Sequence, residues 1–373
     1  MKRPMIVALS LAAALGCTDS ARVTFGQDPA DAGPPQPPLG FDVDDAGREA
    51  EVALDPTKDN DGDGWLYAED CDDRQKNVNP GAVEYPNDGV DNDCDGTIDV
   101  VDEACDDTVE VDGYAVTDPY AYARAIGLCK RTTESARDWG LLSAELLRYD
   151  GSARVPDTDI QMGILQSFGP NVTPRHGKNM AVLSSGTART PSEPGYAHQW
   201  EGPLPQQHIN DSINLKLRIR VPTNALTFTI DYDFYSIEYP DYVGSQFNDE
   251  FLAILDTKVP LSDAAKKSIA LDSLGNSVSV NNGFFEVCLP SEKNGKVFDC
   301  ALGTDELVGT GRERAGATSW LRTKAPVMAG EIITIQFVIF DVADRAYDST
   351  VLIDNWLWEA SAATDPSTGR PPK

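Results

Sequence analysis

Between Phe41 and Asp112 the chain carries 25 acidic residues against four basic ones, Arg48, Lys58, Arg74 and Lys76. So dense a run of like charge repels itself and favours an open chain. The stretch also has almost no hydrophobic periodicity, so apolar burial alone does not fold it. Either it stays open or it closes around a cation. The whole chain has a net charge of −29, most of it here. A field of this sign excludes nucleic acid and anionic lipid as partners of the segment.

The segment contains a repeat. "DNDGDGWLYAED" from Asp59 and "DNDCDGTIDVVD" from Asp91 align without a gap, with a period of 32 residues. Each has the twelve-residue spacing of an EF-hand-type calcium loop, in which positions 1, 3, 5 and 12 offer side-chain oxygens and position 7 a carbonyl. The spacing predicts two calcium sites: Asp59, Asp61, Asp63, Trp65 and Asp70, then Asp91, Asp93, Asp95, Thr97 and Asp102. Gly64 and Gly96 at position 6 allow the sharp turn. Position 12 is Asp where Glu is usual, which shortens its reach and lowers affinity; Glu69 or Glu103 stands ready to compensate. The flanks do not read as the helices of an EF-hand.

The stretch "DGDGWLYAEDCDDRQKNVNPGAVEYPNDGVDNDCDGTID" resembles the metal-binding motif of MopE-type surface proteins, itself similar to thrombospondin type 3 calcium repeats. The resemblance rests on Asp70-Cys71-Asp72-Asp73, on Pro80-Gly81-Ala82 with Glu84, and on the run from Asp88 to Gly96. The family name carries a copper association. The loops offer hard carboxylates and no His or Met, a donor set that selects calcium over copper.

The chain opens "MKRPMIVALSLAAALGC", with Lys2 and Arg3 ahead of an apolar run too short to span a bilayer. This resembles a bacterial lipoprotein signal with Ala14-Leu15-Gly16-Cys17 as the lipobox, which implies cleavage before Cys17 and lipidation of that cysteine. Thr18 after it favours the outer membrane in bacterial sorting. "AGPPQPPLG" then reads as a semi-rigid spacer. Six cysteines remain, and in an exported chain they pair. Sequential pairing gives 71–94, 105–129 and 288–300, among fifteen possible connectivities.

Beyond Trp139 the hydrophobic period changes to two. "NLKLRIRV" sets Leu215, Leu217, Ile219 and Val221 opposite Lys216, Arg218 and Arg220. "LTFTIDYDF", "DEFLAIL", "GFFEVCL", "IITIQFVIF" and "VLIDNWLW" read as further strands, and "DPYAYARAIGLC" as one short helix. Strands without intervening helices predict a mainly β protein, an antiparallel, jelly-roll-like β-sandwich. "YDFYSIEYPDYVGSQFNDEFLAIL" (232–255) and "FDVADRAYDSTVLIDNWLW" (340–358), with "MAVLSSGTA" and "SWLRTKAPVMAGE", resemble the choice-of-anchor L domain of bacterial surface proteins. The resemblance implies an extracellular β-sandwich and no assigned reaction. The expected order is a signal peptide over 1–16, a lipidated spacer over 17–41, the acidic metal-binding module over 42–112, the sandwich over 113–359 and a disordered tail over 360–373.

Catalytic signatures are sparse. His176, His198 and His208 lack the spacing of a zinc protease, and "LSSGTA" is not a nucleophile elbow. Glu238, Asn248 and Asp249, with Asp341, Asp344, Asp348 and Asp354, form a candidate second ion or ligand site at loop ends. The sequence thus predicts a lipid-anchored, calcium-binding surface module that binds a glycan or protein partner without catalysis. The alternatives are a hydrolase carried by the sandwich and a copper-acquisition protein.

Overall fold

The computed structural model describes residues 54–100, 116–155, 158–204, 207–293 and 295–372. The signal segment, Cys17, the spacer, Asp102, Glu103 and Cys105 lie outside the described residues.

Asp118 begins the predicted helix by accepting the N–H of Tyr120 at 3.1 Å, and Pro119 follows with its φ already set for the first turn. Helix α1 (Pro119–Ala125) is short because Gly127, at φ +97°, turns the chain out of it. The strands are β1 (Gly140–Leu147), β2 (Met162–Leu165), β3 (Met180–Ser184), β4 (Ile209–Arg220), β5 (Thr227–Ser236), β6 (Glu250–Asp256) and β7 (Val278–Ser279). They continue with β8 (Ser291–Lys293), β9 (Lys296–Phe298), β10 (Gly316–Ala317), β11 (Leu321–Pro326), β12 (Ile332–Val342), β13 (Ser349–Glu359) and β14 (Ser367–Gly369). One sheet runs β1-β4-β12-β6-β7, the other β14-β11-β5-β13-β3-β2 with β10 on β5, and all these ladders are antiparallel.

The period-two residues meet between the sheets. Leu215, Leu217 and Ile219 of β4 and Ile333, Ile335 and Phe337 of β12 share one core with Phe228, Ile230 and Tyr232 of β5. Lys216, Arg218 and Arg220 lie on the other face, half-buried. Alternation fails on β5, which is buried at every position. A second apolar cluster of Phe168, Met180, Val182, Tyr235, Val287 and Leu352 covers the outer face of its sheet. Asp231 on that face is fully buried and correspondingly well paired. Arg322 binds it in bidentate fashion at 2.6 and 2.8 Å, Arg175 at 3.3 Å and Asn355 at 2.9 Å.

Three expectations are corrected. "GFFEVCL" forms no strand: Val287 makes bridges to Gly303 and Ala317, while the Cys288–Cys300 disulfide folds the segment back. The tail is ordered through Pro372, since β14 pairs with β11 and Arg370 binds Glu286 and the carbonyls of Thr318 and Phe284. Nor does the described part of the acidic segment, residues 54–100, stand apart, because it lies within the compact unit Ala53–Lys373. The join is polar and specific. The turn between β4 and β5 presents Asn224, whose side chain accepts the Val83 N–H at 3.0 Å and donates to the Val83 carbonyl at 2.8 Å. Tyr85 donates to the Asn224 carbonyl at 2.9 Å, and Thr223 donates from its N–H to Gly81 and from its hydroxyl to Asn79.

Asn224→Ala leaves the Val83 amide and carbonyl without partners inside that join. The expected loss is about 1–3 kcal/mol in denaturant unfolding, from buried polar groups stranded in the folded state. An unchanged midpoint would show that the join contributes nothing to stability.

Candidate metal centre

In the first loop each aspartate divides its two oxygens. Asp59 braces the turn, accepting the N–H groups of Gly62 at 2.5 Å, Asp63 at 3.2 Å and Gly64 at 2.9 Å. These donors hold its carboxyl below the usual range. Asp61, Asp63 and Asp70 each accept a backbone N–H through Oδ1, from Asp63 at 3.1 Å, Trp65 at 2.8 Å and Asp72 at 2.9 Å. Their Oδ2 atoms are buried and have no hydrogen-bond partner in good geometry, although Asn79 lies beside Asp63 and Asp59 beside Asp61. Carboxylate oxygens of these three residues lie within 4.8 Å of one another. Gly62 and Gly64, at φ +82° and +100°, supply the left-handed backbone that closes the turn.

Asp73 is a member that spacing alone misses. It is buried, accepts from the backbone and side chain of Asn60, and groups with Asp59 and Asp61. Glu69 points elsewhere, into an ion pair with Arg137 at 2.7 Å. Arg137 also donates to the Gly64 carbonyl at 2.7 Å and lies over the Trp65 ring, 3.9 Å from its centroid. Burial, with the neighbouring carboxylates, pushes Asp70 up to about 6 and raises Asp61 and Asp63. Those oxygens call for a positive charge at their centre.

The second loop repeats the turn but not the ligand set. Asp91 accepts the N–H groups of Asp95 at 3.1 Å and Gly96 at 3.0 Å, as Asp59 does in its loop. The converging carboxylates here are Glu84, Asp91 and Asp93. Glu84 is buried and accepts from the backbone of Asn92 at 2.5 Å, Asp93 at 3.1 Å and Asp99 at 2.9 Å. Asp95 and Thr97 stand outside this group: both are exposed, and Asp95 accepts from Thr97 N–H at 2.7 Å and from its hydroxyl at 2.5 Å. The equivalent Asp63 is half-buried and followed by buried Trp65, whereas Asp95 and Thr97 are both exposed. Asp102 lies outside the described residues, as does the expected partner of Cys129, Cys105. The Cys71–Cys94 disulfide joins the loops as the spacing predicted, with Cα atoms 5.6 Å apart.

Of the second expected site, Glu238, Asp249, Asp341 and Asp348 are fully buried, but no three of them bring oxygens within 4.8 Å of one another. Asn248 serves a turn, accepting from Asn281 N–H at 3.1 Å. Asp354 is elsewhere, accepting the backbone N–H groups of Arg175, His176 and Asn355. Ser184 and Ser185 bond the β13 backbone at Ser349. Between the motif and β13 lies a cavity of about 290 Å³ lined by Val83, Tyr85, Trp139, Trp356 and Trp358.

Residues 70–100 match the family of MopE-type copper-binding proteins, described as a metal-binding motif, and residues 149–356 match the choice-of-anchor L domain. The first match takes in Asp70 and the second loop as far as Val100, but not Asp59–Glu69 or Asp102. Curated proteins give no match. TmCBM61, solved with β-1,4-galactotriose, aligns at 9% identity and a TM-score of 0.23 over 58% of this chain and 88% of that one. The K2 cleaved adhesin domain of Lys-gingipain aligns at 13% identity and a TM-score of 0.27 over 62% and 94%. Likenesses this weak carry no functional argument.

A metal entering the first loop displaces the proton that Asp70, at about 6, otherwise retains. Affinity measured by calorimetry falls about tenfold per pH unit once the pH drops below about 6. Without metal the sign reverses. The raised Asp70 then stabilises the fold when protonated, a contribution lost as pH rises through about 6. An affinity that is flat from about pH 7 to about pH 5 would refute the assignment of Asp70.

Proposed function

The chain belongs to the choice-of-anchor L domain family, and we propose that it is a non-catalytic binding module of the bacterial cell surface whose metal-binding motif is loaded with calcium. The reading rests on one observation: Asp61, Asp63 and Asp70 bring carboxylate oxygens within 4.8 Å of one another, and each keeps a buried Oδ2 with no hydrogen bond in good geometry. An all-oxygen carboxylate set is calcium's, whereas copper prefers imidazole or sulfur, and both nearby sulfurs are consumed in the Cys71–Cys94 disulfide. Calcium removes the repulsion that opposes closure of the loops. The partner meets the protein at the tryptophan-lined cavity, whose size suits a sugar ring or one apolar side chain. The hydroxyls of Ser184 and Ser185, bound to strand backbone, favour this over the hydrolase alternative.

Calorimetry should give calcium binding at about 10⁻⁴–10⁻³ M, as in extracellular modules. Asp61→Asn with Asp63→Asn should remove the first-loop ion and leave the second. Copper retained against excess calcium would establish the metal-acquisition alternative instead, and turnover of glycans or peptides by the wild type would establish the hydrolase.

Cys17 anchors the module through lipid in the outer membrane, with the proline-rich stretch as its spacer. Fatty-acid labelling in cells should tag the wild type and miss Cys17→Ala. An unlabelled, freely released wild type removes the anchor from the proposal.

A further inference from the structure

The β1–β4 ladder ends at a cavity of about 260 Å³, walled by Arg148, Tyr149 and Asp150 just after β1 and by Gln207, His208 and Ser212 at the start of β4. It shares no residue with the tryptophan-lined cavity beside β13. Backbone contacts fix its frame. The Arg148 N–H donates to the Ser152 carbonyl at 2.9 Å, and the Ala343 N–H donates to the His208 carbonyl at 3.0 Å. Asn210 locks the facing turn, accepting the Gln207 N–H and donating to the Gln207 carbonyl, both at 2.6 Å.

Within that frame donors outnumber free acceptors. The Arg148 side chain is 24% exposed, yet its guanidinium makes no hydrogen bond among the described residues, and its acidic neighbour, Asp150 Oδ2, is 3.9 Å away. Asp150 is committed through Oδ1 to the Ser152 N–H at 3.0 Å and the Ser152 hydroxyl at 2.6 Å. Ser212 is buried; its oxygen accepts the Tyr149 N–H at 3.1 Å, which leaves its own proton for another acceptor. A largely buried guanidinium without a fork partner is the group that recognises a planar carboxylate. Beside it Tyr149 is 42% exposed, and its ring meets that of Phe340 edge-on at 5.2 Å. An aromatic ring held among polar donors offers an apolar face to a sugar ring and leaves the sugar oxygens to the donors.

We propose that this cavity binds a carboxylate carried on a sugar ring, a uronic acid residue of an acidic glycan. Arg148 takes the carboxylate, Tyr149 lies against the ring, and Ser212, His208 and Gln207 serve its oxygens. One guanidinium matches a single negative charge, and the field of a chain at −29 opposes a doubly charged phosphate. The site gives the module a second contact, independent of the motif and of the tryptophan-lined cavity.

The test uses the full chain at fixed, saturating calcium and ligand-observed NMR. The probes are methyl β-glucuronide and methyl β-glucoside, which differ in a carboxylate against a hydroxymethyl group. The glucuronide should bind about tenfold more tightly or better, and the gap should narrow as salt is raised. Arg148→Gln should weaken glucuronide binding about tenfold to a hundredfold, the loss of charge-assisted hydrogen bonds. Tyr149→Ala should weaken both probes. Should Arg148→Gln fail to fold, His208→Ala, at an exposed position, takes its place and should weaken the glucuronide severalfold. Equal binding of the two probes, no glucuronide binding by the folded wild type, or glucuronide binding that both variants leave unchanged overturns the proposal. Inorganic phosphate or a peptide C-terminal carboxylate that binds through Arg148 where the glucuronide does not also overturns it, and assigns the cavity to a different anion.

Discussion

A carboxylate that leaves water needs a donor for each oxygen or a positive charge nearby, and the acidic residues of this chain are arranged around that demand. Asp231 meets it with two arginines and an asparagine. Asp59 and Asp91 meet it with the amides of their own loops. The Oδ2 atoms of Asp61, Asp63 and Asp70 find no donor in good geometry, which leaves them open to a cation. The same residue type is thus brace, ion-pair partner or ligand according to which donors the backbone brings to it.

The sandwich and the motif depend on one another through a few polar contacts. Asn224 and Thr223 grip the backbone from Gly81 to Val83, and Glu84 follows directly, so the turn between β4 and β5 helps place a carboxylate of the second loop. Arg137, ahead of β1, closes over Trp65 and takes Glu69 out of reach of the first loop. The cavity beside β13 has one wall from each partner.

Much of this was legible in the sequence. The twelve-residue spacing located the turns, because a glycine at position 6 and aspartates at alternate positions have few other uses. The period of two located β4 and β12: β4 keeps Lys216, Arg218 and Arg220 on the face away from the core, and β12 sets Thr334 and Gln336 there. Spacing did not separate brace from ligand, because burial made by the fold decides it: Asp63 is half-buried, whereas Asp95 is exposed. Glu84 was visible as part of a motif, but its convergence with Asp91 and Asp93 is made by the fold. The outer layer on β5 was hidden for a related reason, since residues as far apart as Phe168 and Leu307 build it. The tail "STG" has no apolar signature, and it is a strand because β11 offers an open edge.

The grip of Asn224 on Val83 also sets how far the motif is portable. A metal-binding motif that folds on its own can be moved between proteins as a cassette. This one takes part of its scaffold from a turn some 140 positions further along the chain. A graft that carries the aspartates alone leaves Gly81 to Tyr85 without their anchor, and Glu84 without a fixed place. The transplantable unit is the motif together with a receiving hairpin bearing Thr and Asn at the positions of Thr223 and Asn224, so the two parts must be inherited, or engineered, as a pair.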